Sequence, residues 1–183
     1  VVEHWGDEAL AARAASLCSD AKLDEAGAAV GEPTEAALVN WAAGLGLKKA
    51  ELEQAAPRVD EAPFDSMRKM MSTVHRTAGG CVQYTKGAPD EVLRRCTHIW
   101  QDGRAVVLTD EARSAILAEN KRMADKALRV LASAMREWPQ RPEENSPEYL
   151  EQGLTFLGLA GMIDPIRAEV KDAIAECRAA GIR

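Results

Sequence analysis

Apolar positions recur at helical spacing in some stretches of the chain and alternate or run together in others. In Asp7–Asp20, the residues Leu10, Ala14, Leu17 and Cys18 share one face, which predicts a helix. A second helix is predicted within Gly31–Lys49, where Pro33 suits the first turn and Gly44 and Gly46 end it. Glu51–Thr77 begins as a polar stretch and then carries strand signals: Val59, followed by Met71, Thr73 and His75 in alternation. Ala78–Gly80 turns the chain and Cys81–Lys86 returns, so an antiparallel hairpin is expected. A short helix (Glu91–Cys96), a strand at His98–Trp100, a turn at Gln101–Arg104 and a strand at Ala105–Leu108 come next. Thr109 is placed to cap a helix running to Ala127, with Asp110 and Glu111 in its first turn and Ile116, Leu117, Met123 and Ala127 on its apolar face. Leu128–Glu137 reads as a strand, Trp138–Gln152 as a proline-rich charged loop, and Leu154–Ile163 as a buried strand. Asp164 and Pro165 are placed to open a last helix. Hairpin-joined strands with helices between them predict an α+β fold, an antiparallel β-sheet flanked by helices, rather than a Rossmann sheet.

Composition narrows the function classes. A net charge of −6, with Lys and Arg dispersed rather than striped, gives no electrostatic case for nucleic acid or an anionic membrane surface. The apolar run Leu154–Ile163 is about half the roughly 20 residues a membrane-spanning helix needs, so no membrane contact by this chain is expected. A monomer is expected. Cys18, Cys81, Cys96 and Cys177 lie far apart without a C-x-x-C pair and read as reduced thiols rather than a disulfide framework or zinc site. His4, His75 and His98 are isolated and read as structural or surface residues. Neither G-x-G-x-x-G nor G-x-x-x-x-G-K-[ST] is present, so a nucleotide would have to bind without a phosphate-cradling loop. With no initiator Met and an abrupt end at Ala-Ala-Gly-Ile-Arg, the sequence reads as a piece of a longer protein.

Four strings carry candidate chemistry: GEPTEAAL (Gly31–Leu38), FDSMRKMMS (Phe64–Ser72), YTKGAPDEVLRRC (Tyr84–Cys96) and LRVLASAMRE (Leu128–Glu137). Taken singly, their residues have ordinary readings. Phe64 is a core aromatic, Lys86 a solvated lysine, Arg129 a strand-edge charge, and Glu35 an acidic partner for a helix dipole. Together, in order and followed by LTFLGLAGMIDPIR (Leu154–Arg167), they resemble the nucleotide-binding domain of a P-type cation-transporting ATPase. The likeness is to the type II, calcium-pump-like branch.

The resemblance implies the rest. Residues 1–163 would be the nucleotide-binding domain, and residues 164–183 the link and first helix of the returning phosphorylation domain. Phe64 matches the aromatic that stacks on adenine, and Glu35, preceded by Thr34, the acidic residue near the adenine amino group. Lys69 and Lys86 match the two pocket lysines, with Gly87 beside the second. Met71 matches a pocket methionine, Arg129 the arginine near the phosphates, and Leu131 a lining residue. Ser66 stands where sarcoplasmic-reticulum-type pumps carry a nucleotide-contacting arginine, Asp90 replaces the usual Glu, and Ile166 the second Pro of the link. The implied ligand is ATP, with Mg2+ on the nucleotide and held mainly by the phosphorylation domain. The implied partners are the phosphorylation and actuator domains of the same pump, on the cytoplasmic side of a bacterial plasma membrane. The family's Asp-Lys-Thr-Gly-Thr acceptor motif is absent from these residues, so the fragment is expected to bind ATP without hydrolysing it. The competing reading is a stand-alone adenine-nucleotide sensor or adaptor.

Overall fold

A computed structural model describes residues 1–163 and 168–181. Strand β1 (Glu3–Gly6) leads into helix α1 (Glu8–Leu17), which Asp7 caps by accepting from the Leu10 amide at 2.9 Å. A small ribbon, β2 (Lys22–Leu23) with β3 (Ala29–Val30), precedes α2 (Pro33–Gly44) and α3 (Lys49–Ala55). Then come β4 (Arg58–Asp65), β5 (Met70–Thr77), β6 (Gly80–Gly87), α4 (Pro89–Arg95), β7 (Cys96–Gln101) and β8 (Arg104–Val107). The chain continues through α5 (Asp110–Asp125), β9 (Arg129–Trp138), α6 (Pro147–Leu150), β10 (Leu154–Met162) and α7 (Ala168–Ala179). Thr109 does cap α5, accepting from the Ala112 amide at 3.2 Å.

Eight strands form the main sheet in the order β4-β5-β6-β9-β10-β7-β8, with β1 also pairing along β10. Because side chains alternate across a strand, neighbours on one strand feed opposite faces. Met70 joins Val92, Leu93, Ile116, Met123 and Phe156 in the core beneath α4 and α5. Met71, its neighbour, joins Leu17, Cys18, Tyr84, Met135 and Leu157 beneath α1. The α+β architecture and the β5–β6 hairpin agree with the sequence pattern.

Four details differ. The β7–β10 pair is parallel, so the sheet is mixed rather than wholly antiparallel. The polar stretch from Glu51, for which no element was expected, holds most of α3, whose apolar content is too low to advertise a buried face. The proline-rich loop contains the single turn α6, started by Pro147. Strand β1 and the β2–β3 ribbon are too short for periodicity to mark. The expected cap at Asp164–Pro165 and the substituted Ile166 lie outside the described residues. Cys18, Cys81 and Cys96 are buried thiols and Cys177 is exposed.

Candidate functional site

The loop from β4 to β5 is held by its own polar groups. Asp65 Oδ1 accepts from the Met67 and Arg68 amides, both at 2.9 Å, and the Asp65 carbonyl accepts from the Lys69 amide at 2.7 Å. The Arg68 guanidinium donates to the Pro63 carbonyl at 2.6 Å and to the carboxylate of Glu151, a fully buried residue. This bracing leaves the Phe64 ring 63% exposed, which no core aromatic is. Lys69 ends the loop at φ +56°, a left-handed conformation that a side chain enters only when its surroundings impose it.

Lys86 lies opposite Met71 in the β5–β6 ladder, and Gly87 opposite Met70. A Cβ on Gly87 would come within 2.4 Å of the Lys69 carbonyl and 2.5 Å of Met70 Cβ. Only glycine therefore lets the two lysine-bearing segments approach this closely. Pro89 then starts α4, so the Lys86 backbone is fixed from both sides. Lys86 is 7% exposed, and its ammonium donates to Glu35 Oε1 at 2.5 Å.

Glu35 comes from the first turn of α2. Its second oxygen accepts from the Asp20 amide at 3.0 Å, so the carboxylate bridges the exit of α1 and strand β6. Glu32 caps α2, accepting from the Glu35 amide at 3.1 Å and the Thr34 hydroxyl at 2.9 Å. Arg129, at the start of β9, donates to Thr34 Oγ1 at 2.7 Å. Lys69 alone of the three cations makes no side-chain hydrogen bond or ion pair among the described residues. These groups surround one cleft of about 610 Å³, lined by Thr34, Glu35, Phe64, Lys69, Met71, Lys86, Gly87, Arg129 and Leu131 together with Asp20 and Glu32. All nine residues nominated from sequence thus share a cavity. Ser66 does not line it.

Residues 9–169 match the family described as P-type ATPase, cytoplasmic domain N. The chain belongs to this family. A Bacillus cereus protein named calcium-transporting ATPase 1 is 44% identical over 167 residues, covering 91% of this chain and 18% of the relative. The Lactococcus lactis protein of the same name is 37% identical over 180 residues, 97% of this chain and 20% of that one. A Bacillus subtilis calcium-transporting ATPase is 38% identical over 174 residues, 92% and 19% respectively. The N domain described here therefore spans about a fifth of these relatives. No helix among its described residues is long and apolar enough to cross a membrane.

Sequence reasoning missed three features of this N domain. Glu32 had a detectable signal, since it precedes the first-turn Pro33, but glutamate is not a favoured cap. Asp20 reaches the cleft only because α1 ends where it does. The Arg68–Glu151 brace joins residues 83 positions apart, which no local pattern reveals. Below the floor, Cys18 Sγ donates to the Met71 carbonyl at 3.5 Å, and burial pushes this thiol up despite nearby Lys86. His75 is fully buried, with Nδ1 2.9 Å from the Ala56 carbonyl and Nε2 2.8 Å from the Thr73 hydroxyl. A carbonyl only accepts, so Nδ1 carries the proton of a neutral ring, and burial lowers the pKa to about 4.

Proposed function

We propose that the cleft binds ATP and that this N domain presents its γ-phosphate to an aspartate in the phosphorylation domain of a type II, calcium-transporting pump. The convergence of an exposed, braced Phe64 with Lys69, Lys86 and Arg129 on one cavity supports the reading. Adenine is flat and apolar on its faces, and an exposed ring offers it a stacking partner. Phosphate oxygens need cations, which Lys69 supplies as a mobile point charge and Arg129 as a planar fork. Met71 and Leu131 give the apolar wall between these ends.

In this reading the domain positions and does not transfer. Phosphoryl transfer relies on an in-line acceptor and charge stabilisation at the γ-phosphate. Mg2+ is assigned to the nucleotide's own phosphates and to the phosphorylation domain. Residues 164–183 are assigned to the link and the start of that domain. The relatives' names favour calcium as cargo and their organisms favour a bacterial plasma membrane, with this domain on the cytoplasmic face. The test is an NMR titration of the chain with ATP, AMP and adenosine. ATP should move amides at Phe64, Lys69, Lys86–Gly87 and Arg129, adenosine mainly those near Phe64 and Met71, with dissociation constants of ~1 mM, about −4 kcal/mol. Phosphate release should be absent over hours. Shifts that avoid these segments, or ATP turnover by the chain itself, would reject the assignment.

A further inference from the structure

Strand β10 changes neighbours along one edge. β7 pairs with it in parallel up to Phe156, and β1 takes over antiparallel from Gly158. Leu157 sits at the changeover, and its carbonyl accepts from the Asp7 amide at 3.1 Å. The two strands diverge from this point, β1 into α1 and β7 through the Asp102–Gly103 turn into β8. A recess of about 410 Å³ opens between them, walled by Trp5, Ile99, Trp100 and Leu157 and carrying Asp7 and Asp102. Among the described residues, no Lys, Arg or His lines it.

Two of the chain's four tryptophans meet here from different cores. Trp5 packs on the α4–α5 side, 6.3 Å from the Phe156 ring, and Trp100 on the α1 side. Both are only half-buried, so each indole is anchored by the core and still partly open. Asp7 commits Oδ1 to capping α1. Asp102, at φ +52° in its turn, is exposed and enters no ion pair among the described residues. Arg104 lies across the hairpin from Gln101 but does not line the recess.

We propose that this recess is a second binding site, for a small organic cation with an apolar body such as an aryl or alkyl ammonium. Indole faces attract cations through their quadrupole, apolar walls take the body, and the carboxylates complement the positive head. The volume falls in the range of small-ligand sites. None of its residues lines the proposed nucleotide cleft, so the two ligands would not compete for the same space.

The probe is benzyltrimethylammonium, titrated into the 183-residue chain beside benzyl alcohol and phenylacetate, which keep the aromatic body and change the charge. Indole N–H signals, assigned by Trp→Phe substitutions, report the site. Those of Trp5 and Trp100 should shift while those of Trp41 and Trp138 stay. The cation should bind about fivefold more tightly than the alcohol, and the anion least. Asp102→Asn, at an exposed turn position, should weaken the cation about threefold and leave the alcohol unchanged. Saturating adenosine should not displace the probe, a result that separates this site from the proposed adenine pocket whether or not that pocket is correct. Equal binding of cation and alcohol, shifts at Trp41 or Trp138 instead, indifference to Asp102→Asn, or displacement by adenosine each overturns the proposal.

Discussion

Replacing Phe64 with alanine separates ligand binding from folding. The ring is 63% exposed, so its loss removes little buried area, and the stability change should stay within about 0.5 kcal/mol. Phe156, at 0% exposure in the α4–α5 core, is the internal comparison: its truncation should cost about 3–5 kcal/mol. Base stacking on an aromatic side chain is worth about 1–3 kcal/mol by alanine substitution. Adenosine affinity should therefore fall about 5- to 150-fold in Phe64→Ala. Starting from a site of about 1 mM, the larger end of that range abolishes measurable saturation. The assay pairs an adenosine titration followed by NMR with thermal unfolding of both variants. Unchanged adenosine affinity would place adenine elsewhere, and a loss of several kcal/mol of stability would make Phe64 a core residue after all.

Lys69→Ala should weaken ATP by more than adenosine, and by more than Arg129→Ala does, because Lys69 alone among these cations has no partner among the described residues to give up; matched calorimetric titrations decide it, and equal losses for both ligands would contradict it. Glu35→Gln should destabilise the fold by about 2–3 kcal/mol, since it strands the Lys86 ammonium at 7% exposure, and adding Lys86→Met should recover part of that loss. Strictly additive unfolding energies would mean that the two side chains do not interact. His75 carries a pH prediction. Its folded pKa, about 4, lies below the ordinary value of 6.5, so the unfolded chain binds the proton first. Its contribution is complete above pH 6.5 and declines as pH falls toward 4, by about 3 kcal/mol at most. Urea melts across that window should show the decline in the native chain and a smaller one in His75→Gln.

The sheet's long strands were legible because alternation and turn residues mark them: Met71, Thr73 and His75 before Ala78–Gly80, then Cys81 to Lys86. Two helix starts were legible for the same local reason: Thr109, which caps α5, and Pro33, which stands in the first turn of α2. What failed was decided at a distance. Strand β1 is only four residues and exists because it completes an edge of β10. The parallel β7–β10 pair depends on where the chain returns after α5, not on anything in His98–Trp100. At the site, motif resemblance nominated residues that line one cavity, but it did not show their pairing. Nothing in YTKGAPD states that Lys86 meets Glu35, 51 residues away, or that Arg129 meets Thr34 across 95.

That pairing changes what the cleft offers a phosphate. Its lining carries three carboxylates, Asp20, Glu32 and Glu35, against three cations, Lys69, Lys86 and Arg129, so its formal charge is balanced before any ligand arrives. A triphosphate entering such a site exchanges partners. Each contact with Lys86 competes with the Glu35 carboxylate at 2.5 Å, and each with Arg129 competes with the Thr34 hydroxyl at 2.7 Å. The net gain is a difference between two charge-assisted hydrogen bonds, much smaller than either. Lys69, whose left-handed backbone is tied to the Asp65 carbonyl, is the exception among the described residues and would offer an entering phosphate its first unopposed charge. The weak binding predicted for this cleft would follow from this balance rather than from any lack of cations. For a domain proposed to hand its nucleotide to a neighbour, weak binding is useful: a cleft that gripped the phosphates tightly in the ground state would add its own grip to the barrier for transfer.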